Sequence, residues 1–186
     1  MKSLIILLVL SLTACTSAEK SVNTDPSKNP FLFPYGNYVH QVKIRIPTNP
    51  DPSKRNFDFR GAVKIAADTI KIVVLSQIGT TLFKMSEDRA TGKIEVENFV
   101  PQLKPYESKL TDYYGSLRVL LTARRHPEGK EITLDSSSRP VQMESVVAGR
   151  PTKFGFADYD EHEIPTRLTI ESDTFGVDVK VLGYEI

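Results

Sequence analysis

Apolar and polar residues alternate with a period of two through most of this chain. His40 to Ile46 puts Val42, Ile44 and Ile46 on one face. Phe57, Phe59, Val63 and Ile65 share a face, with Arg60 and Lys64 opposite. Ile70, Ile72 and Val74 alternate with polar or smaller neighbours, Phe83 and Met85 flank Lys84, and Ile94 and Val96 are interleaved with Lys93, Glu95 and Glu97. The pattern resumes at Ile132 and Leu134, Val141 and Met143, Phe154 and Phe156, Leu168 and Ile170, and finally Val177, Val179 and Val181. Short turns of the expected chemistry separate several of these runs: Ala67-Asp68, Ala90-Thr91-Gly92 and Asp173-Thr174. Repeated alternation at short spacing predicts an antiparallel sheet, apolar on one side and wet on the other.

One segment has a different period. Leu103, Tyr106, Leu110, Tyr113, Leu117 and Leu121 recur every three or four residues, which is one face of an amphipathic helix. Pro105 suits its first turn, Arg124-Arg125-His126 complements its negative end, and Pro127 with Gly129 stops it. The spacing predicts a helix over about 105–125. About ten strands and one main helix make an α+β, mainly β domain. So many twisted strands do not stay open and flat, so the sheet is expected to curl into a barrel or half-barrel, with the helix over a mouth or an open side. The pattern is compatible with a filled interior and with a hollow one.

The first residues stand outside this pattern. Lys2, the apolar run Leu4 to Leu10 and the small residues before Cys15 have the three parts of a secretory signal. The run is about half the roughly 20 residues needed to span a bilayer. Leu12-Thr13-Ala14-Cys15 resembles the bacterial lipobox, in which the chain is cut before a Cys that carries S-diacylglycerol and N-acyl groups such as palmitate. Cys15 is the only cysteine, which agrees with acylation rather than a disulfide. Two or more acyl chains hold a protein stably on a membrane. Thr16 is not the Asp that would retain a lipoprotein in the inner membrane in the common sorting pattern, so an outer-membrane anchor facing the periplasm is expected. Residues 1–14 are read as a lipoprotein signal peptide, 15–30 as acylated Cys and flexible tether, and 31–186 as one domain. Phe31-Leu32-Phe33, between two prolines, is too short for a helix and can dock on the domain.

Charge and chemistry change little. There are 24 Lys and Arg against 23 Asp and Glu, and Lys2 leaves with the signal. No basic patch points to nucleic acid. None of the three histidines, His40, His126 and His162, has a metal-ligand spacing with another. Asp158 to Glu163 is acidic but matches no ion-binding loop and reads as a solvated hairpin loop; Ser136-Ser137-Ser138 lacks a nucleophile elbow and reads as a polar turn. No catalytic residue, metal site or soluble cofactor is assigned, and the chain is not read as an enzyme.

Two stretches resemble the LolB family, outer-membrane lipoprotein receptors that accept lipoproteins from the soluble carrier LolA. The first is Leu75-Ser76-Gln77-Ile78-Gly79-Thr80-Thr81, similar to the family's tight loop Leu-Thr-x-Pro-Leu-Gly-Ser-Thr, with Gln77 in place of the proline. The second is Tyr159-Asp160, then Ile164-Pro165-Thr166-Arg167-Leu168-Thr169-Ile170, then Val177 to Val181, similar to the family's C-terminal end. A tryptophan common near the family's last strand is absent, with Gly183-Tyr184 there. The resemblance covers roughly residues 40–186.

The resemblance implies a strongly curved antiparallel half-barrel with helical cover over an apolar cavity. It implies that Ile78 and Gly79 form a protruding membrane-insertion loop, with Ile78 as the exposed apolar tip, although pattern alone favours a buried strand end for Ile78. It implies that Phe57, Phe59, Ile70, Ile72, Val74, Phe83, Met85, Ile94, Val96, Leu110 and Leu117 line the cavity; ordinary core packing is the plainer reading of each. The expected partners are lipid or lipoprotein acyl chains, a LolA-like periplasmic carrier and the membrane that holds the anchor, and a monomer is expected. The competing reading is a structural or assembly lipoprotein that uses the same fold for docking proteins.

Overall fold

The computed structural model describes residues 30–97, 100–101, 107–125 and 131–186. The signal peptide, Cys15, the tether up to residue 29, and Leu103, Pro105, Tyr106, His126, Pro127 and Gly129 lie outside the described residues, as does the side chain of Leu110. Ten strands form one sheet: β1 (Gly36–Arg45), β2 (Asn56–Ile65), β3 (Thr69–Leu75), β4 (Thr81–Asp88), β5 (Ile94–Glu97), β6 (Ile132–Leu134), β7 (Pro140–Val147), β8 (Arg150–Tyr159), β9 (Pro165–Glu171) and β10 (Gly176–Glu185). One α-helix, α1 (Glu107–Leu121), separates β5 from β6. Each alternating run of the sequence lies in its own strand.

The strand order is β5-β4-β3-β2-β1-β10-β9-β8-β7-β6, antiparallel throughout. Sequential strands therefore pair with each other except β5 and β6, and β1 pairs with β10 across the length of the chain. The sheet is open, because β5 and β6 are not paired with one another.

The helix shows that the sheet is strongly curled. Tyr114 and Arg118 of α1 both bond Glu87 of β4, while a side chain built on neighbouring Gly115 would sit 3.2 Å from Val147 of β7. β4 and β7 stand seven strand spacings apart in the sheet. In a flat sheet that separation is about 34 Å. A helix only about 10–12 Å across reaches both only if the sheet wraps around it. Alternation then separates the faces. Tyr38, Val63, Ile65, Ile70, Ile72, Met85, Phe154, Phe156, Leu168, Ile170, Val177 and Val179 are buried on the concave side, while Lys43, Lys64, Lys71 and Lys84 are exposed.

The helix is shorter than the spacing predicts and ends four residues earlier. Residues 123–125 instead pair with the start of the domain. Leu32 N–H donates to Ala123 C=O at 2.8 Å, Arg125 N–H donates to Pro30 C=O at 2.8 Å, and Phe31 and Arg124 form an antiparallel bridge. These bonds take up backbone groups that a longer helix would have used. Leu32 and Phe33 are fully buried. Arg125 is not a solvated dipole partner. It is buried and donates to Phe31 C=O, His162 C=O and the Glu163 carboxylate. The acidic loop 160–164 is likewise structural. Asp160 accepts from the His162 and Ile164 N–H groups and from the Tyr184 hydroxyl.

Candidate ligand cavity and its mouth

Strand register gives the curled sheet two distinct ends. Loops 66–68, 89–93, 135–139 and 160–164 and the docked segment 30–33 lie at one end. Loops 46–55, 76–80, 148–149 and 172–175 lie at the other. The helix runs between them. Tyr113 packs edge-on against Phe175 of loop 172–175, with ring centroids 4.8 Å apart, and the segment after Leu121 reaches Leu32 at the opposite end.

Between α1 and the concave face lies a cavity of about 170 Å³. Its wall draws on β1 to β4, β9 and β10 and on Tyr113, Tyr114, Leu117, Leu120 and Leu121 of the helix. An engineered cavity of about 150 Å³ with a similar apolar lining stays dry and takes a small apolar molecule. Typical ligand sites are larger, about 300–1,000 Å³. With the helix in place, this volume suits one slender apolar ligand, not several side by side.

Burial along the wall is graded. Wall residues toward the docked N-terminal segment, such as Val63, Ile72 and Met85, are buried. Residues toward loop 76–80, namely Ile44, Phe57, Phe59, Val74 and Phe83, are only half-buried, whereas Ile46, Ile170 and Val177, wall residues at the same end beside loop 172–175, are buried. The cavity therefore opens beside loops 46–55 and 76–80, on the β1–β4 side of that end. Phe57 and Phe59 stack side by side at this rim, with centroids 6.4 Å apart.

Loop 76–80 presents its one large apolar residue to solvent. Ile78 is 90% exposed. The turn is built by Gly79 N–H donating to Ser76 C=O at 3.0 Å, Ser76 N–H to Thr80 C=O at 2.8 Å, and Thr80 N–H to Ser76 Oγ at 3.0 Å. Gly79 has φ +86°, a conformation that other residues adopt only with strain. An isoleucine held out by this turn is not a buried strand end.

Of the residues expected to line the cavity, Phe57, Phe59, Ile72, Val74, Phe83, Met85 and Leu117 do so. Ile70, Ile94 and Val96 do not. Ile70 is packed solid at the closed end, 1% exposed. Val96 stands opposite Met85 and on its face of the sheet, yet is 41% exposed. Its strand, β5, is the sheet edge. Ile94 packs against the core from that same edge.

Among the buried polar side chains, Glu87 and His40 bear on the chamber and its helix. Glu87 is 1% exposed, accepts a hydrogen bond from the Tyr114 hydroxyl, and pairs with Arg118 Nε at 2.9 Å. Burial, then the adjacent carboxylate, pushes the Tyr114 phenol above its ordinary range. This cluster fastens the helix to β4. The second feature is His40 on β1. It lines the cavity, is 3% exposed, and lies parallel to the Tyr38 ring at 6.1 Å. Its Nε2 has no hydrogen-bond partner. Burial lowers its pKa to about 4, so the ring is neutral at physiological pH.

A second cleft of about 160 Å³ adjoins the mouth and shares Ile46 and Tyr113 with the cavity wall. It is lined by polar groups including Thr48, Ser116, Arg150, Thr152, Ser172 and Thr174. Among the described residues, no three His, Cys, Asp or Glu side chains are grouped to hold a metal ion, and no helix is long and apolar enough to cross a membrane. The chain matches no family model and no curated protein.

Proposed function

We propose that the protein is a LolB-like lipoprotein, anchored through acylated Cys15 to the outer membrane and facing the periplasm, that takes an acyl chain into its cavity and passes it to the membrane. One observation carries this reading. The half-buried apolar mouth and the exposed Ile78 loop lie at the same end of the sheet. An apolar tip that enters the bilayer gains about 1.5–3 kcal/mol on losing contact with water. That gain brings the mouth against lipid, and an acyl chain then moves between two apolar surroundings without crossing water.

The physical roles follow from position. Phe57, Phe59, Val74 and Phe83 form the entrance, Leu117 and Met85 the deeper wall, and Met85 adapts to ligands of differing shape. The Glu87–Tyr114–Arg118 cluster holds α1 over the chamber. In the LolB-like reading the cargo is the acyl group of a lipoprotein received from a LolA-like carrier. The test is a pulse-chase in cells depleted of the protein. Delayed arrival of newly made lipoproteins at the outer membrane is expected; arrival at the normal rate counts against lipoprotein cargo. Lipid extraction of the purified protein tests the cavity itself, and an extract without acyl species would favour the protein-docking alternative.

A further inference from the structure

The cavity holds a buried hydrogen-bonding atom that the protein itself leaves unpartnered. His40 Nε2 has no partner, and the ring faces a chamber whose other walls are almost wholly aliphatic and aromatic. An unsatisfied buried polar atom costs about 1–3 kcal/mol. A leucine of similar reach at this position would avoid that cost. The space beside the ring is also open. His40 pairs across the sheet with Gly61, another wall residue. A side chain begun at Gly61 would meet only Val42, at 4.0 Å. The neighbouring strand thus leaves room for a ligand group next to the imidazole.

Resting on the reading of this chamber as a lipid site, we propose that His40 is the polar anchor for a single-chain carboxylic acid that enters head first. The acid is a carboxylate in neutral water, so binding takes up one proton from solvent; in the chamber that proton sits on the acid, whose O–H donates to Nε2, or on Nε2, and the two ions pair. Either arrangement shares one proton and has no net charge, the only form that an apolar chamber accommodates well. The alkyl tail then runs along Val42, Ile44 and Phe59 toward the mouth. A cavity of about 170 Å³ admits one such chain at a time.

The test uses the full-length protein in phospholipid nanodiscs, with uptake by empty discs subtracted, and two probes of equal chain length, decanoic acid and decane. The expected result is roughly tenfold tighter binding of decanoic acid, the worth of about one net hydrogen bond. With ¹⁵N-labelled histidine, the His40 Nε2 resonance moves on adding decanoic acid and stays in place with decane. His40→Leu retains decane binding and loses the preference; His40→Gln, which keeps a donor and an acceptor, retains most of it. Equal binding of the two probes by the wild type, an unmoved Nε2 resonance, or a preference that survives in His40→Leu overturns the anchor and leaves the lipid chamber standing. Binding of neither probe overturns both. The spectral arm needs no variant, so it holds even if a substitution disturbs folding.

Discussion

The two ends of the curled sheet are made from the same alternating strands and have opposite properties. At the closed end Leu32, Phe33, Tyr38, Ile65 and Ile70 fill the interior completely. At the open end Phe57, Phe59, Val74 and Phe83 are equally apolar yet stay half-buried. Residue type does not separate them. The difference lies in what covers each face. The N-terminal segment plugs one end with two large side chains, whereas the other is bounded by loops and an outward-pointing Ile78. A period-two pattern specifies which face is apolar; whether that face becomes core or chamber depends on a partner from elsewhere in the chain.

Substitutions at the two ends should therefore differ sharply. Phe33→Ala empties a fully buried site and should cost about 3–5 kcal/mol, measurable as a lower urea midpoint with unchanged slope. Phe59→Ala at the open end should cost less than half as much. Equal losses would mean that the open end is as tightly packed as the plug.

Acidification probes the region between the ends. The unfolded-state pKa of His40 is near 6.5 and its folded value near 4, so the unfolded chain binds more protons between these values. Its contribution to stability is complete above pH 6.5 and is lost as pH falls through that window, by on the order of 3 kcal/mol. Chemical unfolding from pH 7 to pH 4 should show this loss, and His40→Leu should flatten that part of the profile. A slope that persists in the variant would assign it to other groups.

A smaller effect is expected from Glu87→Ala, which leaves the buried Tyr114 hydroxyl without its acceptor. A loss of about 2 kcal/mol is expected, with amide exchange in α1 rising before exchange in the sheet. Uniform change across the molecule would show that the cluster does not act as the helix's fastening. The smallest stability change belongs to Ile78→Glu, within about 0.5 kcal/mol because the residue touches little. Acyl transfer to vesicles should nevertheless fall about tenfold or more. Unchanged transfer would remove Ile78 from the proposed delivery step.

Much of the fold was legible in the sequence because its signals are local. Each alternating run became a strand, and Tyr113, Leu117 and Leu121 lie on the inner side of a real helix. What escaped was set by distant contacts. The helix ends at Leu121 because residues 123–125 pair with the chain's own start, a competition that no local window reveals. Val96 alternates correctly and still faces solvent on an edge strand, a position that alternation does not report. His40 could have been found: it shares parity with Val42, Ile44 and Ile46, which places a histidine on the apolar face. Glu87 hid in the same way, two residues beyond Met85 on the same face.

The pairing of Phe31 with Arg124 fixes the point from which the chain departs toward Cys15, and that point is at the end remote from Ile78. A ten-residue strand is about 33 Å long. Residues 16–30, pulled straight, reach about 50 Å. On the proposed anchor, the leash is longer than the body it holds. A tether of that reach, on the proposed anchor, would let the domain turn over and bring its far end down onto the bilayer, or swing that end outward to meet the proposed carrier, without letting go. Shortening this segment below the length of the barrel would leave the fold untouched and strand the mouth facing away from the membrane.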